Sequence, residues 1–216
     1  MPVNSMTRLL GATAMLVALP TYAQLVSTDG GLGVYDPTNN VTWTSNANLF
    51  ATQAASYSGG AAAFVSLVIA DSGGVIHDSP NPYDPTGTFT LSANDFTAST
   101  GTVDYWGARA WVNYLDATNY GGSNQWALPT TVDINQNVGF PDGGAGNPAQ
   151  SSSQLAELFY GDLGQVAGSS ITTTHNASYS LFSNVQNTAY WSATEYSLNP
   201  YYSWFLGTGN GRLLLL

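Results

Sequence analysis

Glu195 is the residue whose neighbours best equip it for chemistry. It stands in the run Tyr190-Trp191-Ser192-Ala193-Thr194-Glu195-Tyr196, a carboxylate set among aromatic side chains. A carboxyl desolvated in this way keeps its proton to higher pH and can serve as a general acid. A structural role competes with that reading: a carboxylate that accepts backbone N–H groups, or pairs with Arg109 or Arg212, to hold the C-terminal hairpin. Glycoside hydrolysis needs a second carboxyl facing the first across the scissile bond. The other glutamate, Glu157, lies in a helical stretch with no motif around it. The aspartates fall mostly in turn sequences, where Asx geometry accounts for them. No catalytic residue is therefore expected, and hydrolysis through Glu195 ranks behind binding.

Two further groups could touch a ligand. Tyr196, Tyr201 and Tyr202 flank Glu195 and Pro200, and tyrosine rings stack on sugars or anchor protein partners. Trp106, Trp111, Trp126, Trp191 and Trp204 are expected mostly to build the core. Asp133-Ile-Asn135-Gln-Asn137-Val-Gly139 hints at a calcium loop, but the EF-hand template wants Gly at position six and Glu at twelve, and both are missing. An oxygen-lined calcium site from Asp133, Asn135, Asn137 and Asp142 stays open beside an ordinary Gly-rich surface loop. No other cofactor is called for. His77 and His175 are isolated in polar stretches and read as surface or turn residues.

Composition narrows the classes. The chain of 216 residues carries 13 acidic against 3 basic side chains, a formal net charge of −10. Phosphate recognition needs clustered Lys and Arg, so nucleic acid is excluded as a partner, and anionic lipid surfaces are disfavoured. With no cysteine there is no thiol nucleophile, no cysteine metal site and no disulfide. Residues 1–23 read as a secretory signal peptide: Arg8, an apolar run from Leu9 to Leu19, Pro20, then Thr21-Tyr22-Ala23 as the cleavage site. The apolar run is too short to span a bilayer, and no membrane span is expected after its removal. Export makes a fold without disulfides depend on packing and hydrogen bonds alone.

The elements that must position these residues are legible in part. Leu32 to Trp43 reads as a hairpin with Asp36 to Asn40 as its turn. Gly59 to Ala70 is apolar but does not separate helix from strand by period. Asp71 to Gly101 reads as a long loop insertion with one short strand near Thr88 to Leu91. A helix is predicted over Asp104 to Asn119, with Tyr105, Ala108, Val112 and Leu115 on one face and Thr102 or Asp104 as its cap. A second is predicted from Ser153 to Gly161. After Gly164 the chain is β-like. The pattern is one α+β domain over residues 24–216, two helices packed on short twisted antiparallel strands.

The strings VIHDSPN, DYWGARAWVNYL, NYGGSNQWALPT, ELFYGDLG and YWSATEY resemble the Lcl C-terminal domain family, a bacterial domain named for its place at the end of collagen-like adhesins. The resemblance covers roughly Tyr35 to Gly209 and implies a C-type-lectin-like fold that binds glycans or proteins outside cells. Three departures stand out. Ala127 occupies the place where the family reads arginine in Trp-Arg-Leu-Pro. The final strand after the Gly-rich turn is expected to be short or missing. The Pro-Glu-Pro sorting tail common in secreted members is not visible. The resulting expectation is a secreted, non-catalytic recognition domain for glycan, exopolysaccharide or a protein surface. A structural matrix or assembly subunit is the alternative. The ligand contacts would be Glu195, Tyr196, Tyr201 and Tyr202, in a shallow site formed by the 71–101 and 133–149 loops.

Overall fold

The hairpin at the start of the chain forms as the turn residues dictate. It is seen in a computed structural model that describes residues 24–82, 84–133, 139–144 and 147–216; the leader assigned to residues 1–23 lies outside them. Strands β1 (Val26–Thr28), β2 (Gly33–Asp36) and β3 (Val41–Thr44) make an antiparallel sheet in that order. Asp36 is fully buried and accepts from Thr38 N, Asn39 N, Asn39 Nδ2 and Trp43 Nε1. That Asx-type turn fixes which residues pair across β2 and β3.

Helices α1 (Leu49–Ser56) and α2 (Ala61–Asp71) follow. The first has no counterpart in the sequence reading, and the second resolves the ambiguous stretch as helix. Phe64, Val65 and Val68 share its buried face, the 1-4 spacing of a helix. Gly60, at φ 82°, makes the turn between the two helices.

The stretch expected as a long loop is largely ordered. Strand β4 (Val75–His77) pairs with β5 (Thr88–Thr90), and β6 (Phe96–Thr97) pairs with β7 (Thr102–Val103). Ser92 and Asp95 close a reciprocal capping box around the turn Ala93–Asp95. Local side-chain bonding of this kind leaves little trace in hydrophobic periodicity.

Helix α3 (Tyr105–Ala117) forms where predicted, with Asp104 accepting from Gly107 N at 2.7 Å. Helix α4 (Gln154–Ala156) begins at Ser153, whose Oγ accepts from Ala156 N, and continues as a buried π-helical turn, Glu157–Asp162. The described residues thus hold four helices where two were expected, and several small antiparallel sheets. No single helix among them is long and apolar enough to cross a membrane.

The C-terminal sheet has the order β10-β9-β8, with β8 Ala189–Glu195, β9 Ser203–Gly207 and β10 Arg212–Leu215. The final strand expected to be short or missing is present. Its leucines alternate, and Leu213 is fully buried. Gly211, at φ 79°, makes the turn, and its carbonyl accepts from Tyr160 Oη at 2.6 Å. Leu213 N donates to Gly139 O, so part of this sheet edge is already engaged.

Two apolar cores lie side by side. One joins Phe50, Phe64, Val68 and Phe96 around α1, α2 and α3. The other joins Leu25, Val34, Leu158, Phe159 and Leu206 around α4 and the two three-stranded sheets. Trp204 is fully buried; Trp106, Trp111, Trp126 and Trp191 are only half-buried, short of the burial expected of them.

If β10 is a core strand, Leu213→Ala should cost about 2–5 kcal/mol in urea unfolding, as large-to-small core changes do. Leu198→Ala, in an exposed turn, should stay within about 0.5 kcal/mol. Equal, small effects would mean β10 is not docked.

Candidate functional site

Glu195 ends a strand whose pairing is interrupted. The register between β8 and β9 shifts between Trp191 and Glu195, and such bulges re-aim side chains. Within the shift, Ala193 N donates to Pro129 O at 2.7 Å, and Thr194 exchanges hydrogen bonds with Thr131. The bulged segment is thereby tied to the chain after Trp126, and Glu195 meets α3.

Helix α3 presents Tyr105, Arg109 and Asn113 at intervals of four, one above another on a single face. Tyr105 Oη donates to Glu195 Oε1 and to Ala193 O, each at 3.3 Å. Arg109 Nη1 lies 3.5 Å from Asp78 Oδ1 and 3.9 Å from Glu195 Oε1, while Nη2 donates to His77 O at 2.9 Å. The guanidinium also lies 5.7 Å from the centre of the Tyr105 ring and 5.4 Å from that of Trp106. Asp78 arrives from the end of β4.

The remaining wall is an irregular strap, residues 123–129. Trp126 N donates to Asp116 Oδ1 at 2.6 Å and its Nε1 donates to Tyr120 O at 3.0 Å, which fixes the indole. Asp78, Tyr105, Arg109, Asn113, Trp126 and Glu195 line an open cleft of about 450 Å³. Carboxylates, an amide and a guanidinium converge there beside aromatic surface.

Burial pushes the Glu195 carboxyl up to about 7, and the neighbouring Asp78 carboxyl adds to the rise; Arg109 and the Tyr105 hydroxyl pull against it. Burial, foremost, holds the Tyr105 phenol up to about 12, so it remains a donor. Asp78 and Glu195 each set one oxygen near Arg109 Nη1, at 3.5 and 3.9 Å. Both carboxyls are drawn to one guanidinium, so their charges are engaged on Arg109 rather than on a bond between them. The arrangement suits hydrogen bonding to a ligand better than cleavage of one. Pairing with Arg109, one of the structural roles open to Glu195, is what the structure contains, but with a cleft beside it.

The other residues singled out by sequence do not gather here. Tyr196 is a correction: it is 5% exposed, edge-on to Trp204, and is core. It turns inward on the same side as Ser192, four residues earlier, which is also buried. Tyr201 and Tyr202 are 75% and 42% exposed but do not line the cleft. Asp133 accepts from Ser197 N at 2.9 Å and Trp204 Nε1 at 3.0 Å; burial raises its pKa, but these bonds more than offset that and leave it lowered. Asp142 accepts from Gly144 N and Asn147 Nδ2. Asn135 and Asn137 lie outside the described residues. Among the described residues no group of three His, Cys, Asp or Glu side chains is placed to hold a metal. His175 stacks on Tyr179 at 3.8 Å.

Asp78, Tyr105 and Asn113 were missed as site residues; Arg109 was named only as a partner for Glu195, and Trp126, able to stack on a sugar, was expected in the core. The spacing of 105, 109 and 113 was a readable signal, because it puts three polar-tipped side chains on one helical face. No family model, no curated protein and no solved structure matches this chain.

The raised Glu195 pKa carries a sign. Below the ordinary glutamate value of 4.5 the carboxyl is protonated in folded and unfolded chains alike. As pH rises toward about 7 the unfolded chain ionises first, so the stability linked to Glu195 is lost across that window. Urea unfolding at acid, intermediate and alkaline pH should show a shallower decline in Glu195→Gln than in the parent. An unchanged slope would remove Glu195 as a contributor; Asp162, whose pKa burial first of all also raises to about 7, would then carry it.

Proposed function

We propose that the chain is an exported, non-catalytic recognition domain that takes a glycan into the cleft between α3, β8 and the 123–129 strap. The observation that carries this reading is the convergence of Asp78, Arg109, Asn113 and Glu195 beside the Trp126 indole. Sugars present hydroxyl pairs that carboxylates, amides and guanidinium groups hold by multiple hydrogen bonds, and ring C–H faces that lie on indole. The polar side chains are partly open to solvent, with 16% of Asp78, 23% of Glu195 and 28% of Arg109 exposed. A ligand would replace water there without first opening the fold.

Trp126 supplies the apolar platform. Asp78 and Asn113 face the ligand as acceptor and amide, and Glu195, holding its proton near neutrality, can donate as well as accept. Arg109 keeps the two carboxyls together and remains the local cation. The likeness to the Lcl C-terminal domain family, and through it to C-type-lectin-like folds, points the same way as a resemblance of motifs. Formylglycine generation, the enzymatic relative of that fold, depends on cysteine, and this chain has none. The net charge of −10 favours neutral or cationic glycans over sulfated or uronic ones.

A glycan and exopolysaccharide array, run with calcium and with chelator, tests the reading. Selective binding should weaken at least about tenfold in Asp78→Asn, Asn113→Ala and Trp126→Ala, the loss of one or two directed contacts. Tyr201→Ala should bind as the parent does. Binding lost in Tyr201→Ala but kept in Asn113→Ala would move the site to the exposed tyrosines. Concentration-dependent oligomers without glycan binding would favour the assembly role.

A further inference from the structure

The strap that closes the polar cleft also walls a second cavity, of about 500 Å³; Val112, Trp126, Ala127 and Leu128 border both. This cavity lies between the two apolar cores. Phe50 and Trp111 reach it from one core and Leu158 and Phe159 from the other. None of its lining side chains is Asp, Glu, Lys, Arg or His, although acidic residues abound in the chain.

Many of the polar atoms around it are already engaged, while Thr42, Asn187 and Thr188 keep side-chain groups open toward its border. Four tryptophans line the space, and each indole N–H is spent within the protein: Trp43 on Asp36 Oδ2, Trp111 on Gln53 Oε1, Trp126 on Tyr120 O and Trp191 on Val103 O, all at 2.9–3.0 Å. Tyr190 Oη accepts from Gln186 N at 2.9 Å. Asn48, at the rim, donates to Thr100 O at 3.0 Å. What the interior mostly presents is ring face and aliphatic carbon, with neutral polar groups toward the border. Water there would find few partners, and apolar cavities of only about 150 Å³ already stay dry and admit benzene. The volume falls within the roughly 300–1,000 Å³ of ordinary small-molecule sites.

We propose that this cavity is a binding site for a neutral, predominantly apolar, ring-bearing small molecule, separate from the glycan cleft. An ionised ligand is excluded because no lining side chain could compensate its charge. A sugar is excluded because its hydroxyls would trade water for carbon. Flat aromatic rings fit because four indoles and Phe50 line the space, Phe50 and Trp111 already meeting edge to face, a geometry that aromatic pairs prefer. The rim residues Thr100, Thr102, Asn187 and Thr188 are neutral and exposed and form the solvent-facing border.

The test uses the purified chain, with the neutral probe N-phenyl-1-naphthylamine and the anionic probe 1-anilinonaphthalene-8-sulfonate. Both are titrated at about 0.5 M salt, which screens the net negative charge. The neutral probe should bind saturably at one site, quench tryptophan emission and raise the melting temperature. The sulfonate should bind at least about tenfold more weakly, the mark of an uncompensated charge. Ala108→Phe, which projects a ring from α3 into the cavity, should abolish neutral-probe binding and keep a cooperative melt. If that variant does not fold, Thr102→Trp at the exposed rim decides, with an expected loss of at least tenfold. The proposal is overturned if the neutral probe fails to saturate, if both probes bind equally, or if binding survives in the folded variants.

Discussion

The hydrogen bond from Trp191 Nε1 to Val103 O joins the centre of β8 to the residue two places before α3. Everything in the polar cleft is positioned by that join. Tyr105 follows two residues later and lands on Ala193 and Glu195. Arg109 lies one helical turn further on, beside Asp78. The bond spans 88 residues of chain, so it is a tertiary staple that no local preference supplies. Related bonds hold the rest: Trp204 to Asp133 over 71 residues and Trp111 to Gln53 over 58. In a chain without cysteine, indole N–H groups take the place that covalent bridges occupy in many exported domains. Each sets direction as well as distance, because a buried N–H must be aimed at its acceptor.

The second constraint is the scarcity of cations. Both ion pairs among the described residues belong to Arg109. Acidic side chains that fold inward elsewhere must be satisfied by neutral donors or keep their protons. Asp36 takes the first course, with four donors converging on one fully buried carboxylate. Asp162, raised to about 7, leans to the second, and Glu157 is shifted in the same direction. Both are buried in the π-helical turn, and burial, with the repulsion of nearby carboxyls, raises their pKa values. Glu195 lies between these cases: one guanidinium serves two carboxyls, and a proton makes up the deficit. Its value near 7 follows first from burial and then from the neighbouring Asp78 carboxyl, which a lone guanidinium does not fully offset.

How far the sequence discloses this depends on the range over which each feature is determined. The hairpin of β2 and β3 and helix α3 were legible, because Asp36 to Asn40 and the Tyr105, Ala108, Val112, Leu115 spacing act locally. Helix α1 was not: its buried Leu49, Phe50 and Ala54 make too short a stripe in an otherwise polar run. The 71–101 stretch looked like loop because its order comes from a capping box and two very short ladders. At the site, Glu195 was found because aromatic neighbours announce desolvation. Asp78, Tyr105, Arg109 and Asn113 come from β4 and α3, and only the tertiary staple brings them to it. Tyr196 was misplaced because an aromatic beside Glu195 reads equally as ligand contact or core, and its packing against Trp204 is tertiary.

The strap at 123–129 is where the two halves of the functional argument meet. It has no regular secondary structure, yet Asp116, Tyr120 and Ala193 fix it through Trp126 N, Trp126 Nε1 and Pro129 O. With its N–H spent, the Trp126 indole serves both spaces as carbon surface. On the cleft side it adjoins carboxyls and a guanidinium; on the other it completes a wall without charge. A thin, hydrogen-bonded strap can separate two such unlike environments because the polar groups are gathered on one face of α3 and at the ends of β4 and β8. The same segregation sets the specificity expected of each space. One favours ligands that exchange water for directed hydrogen bonds, and the other favours ligands that have no hydrogen bonds to lose.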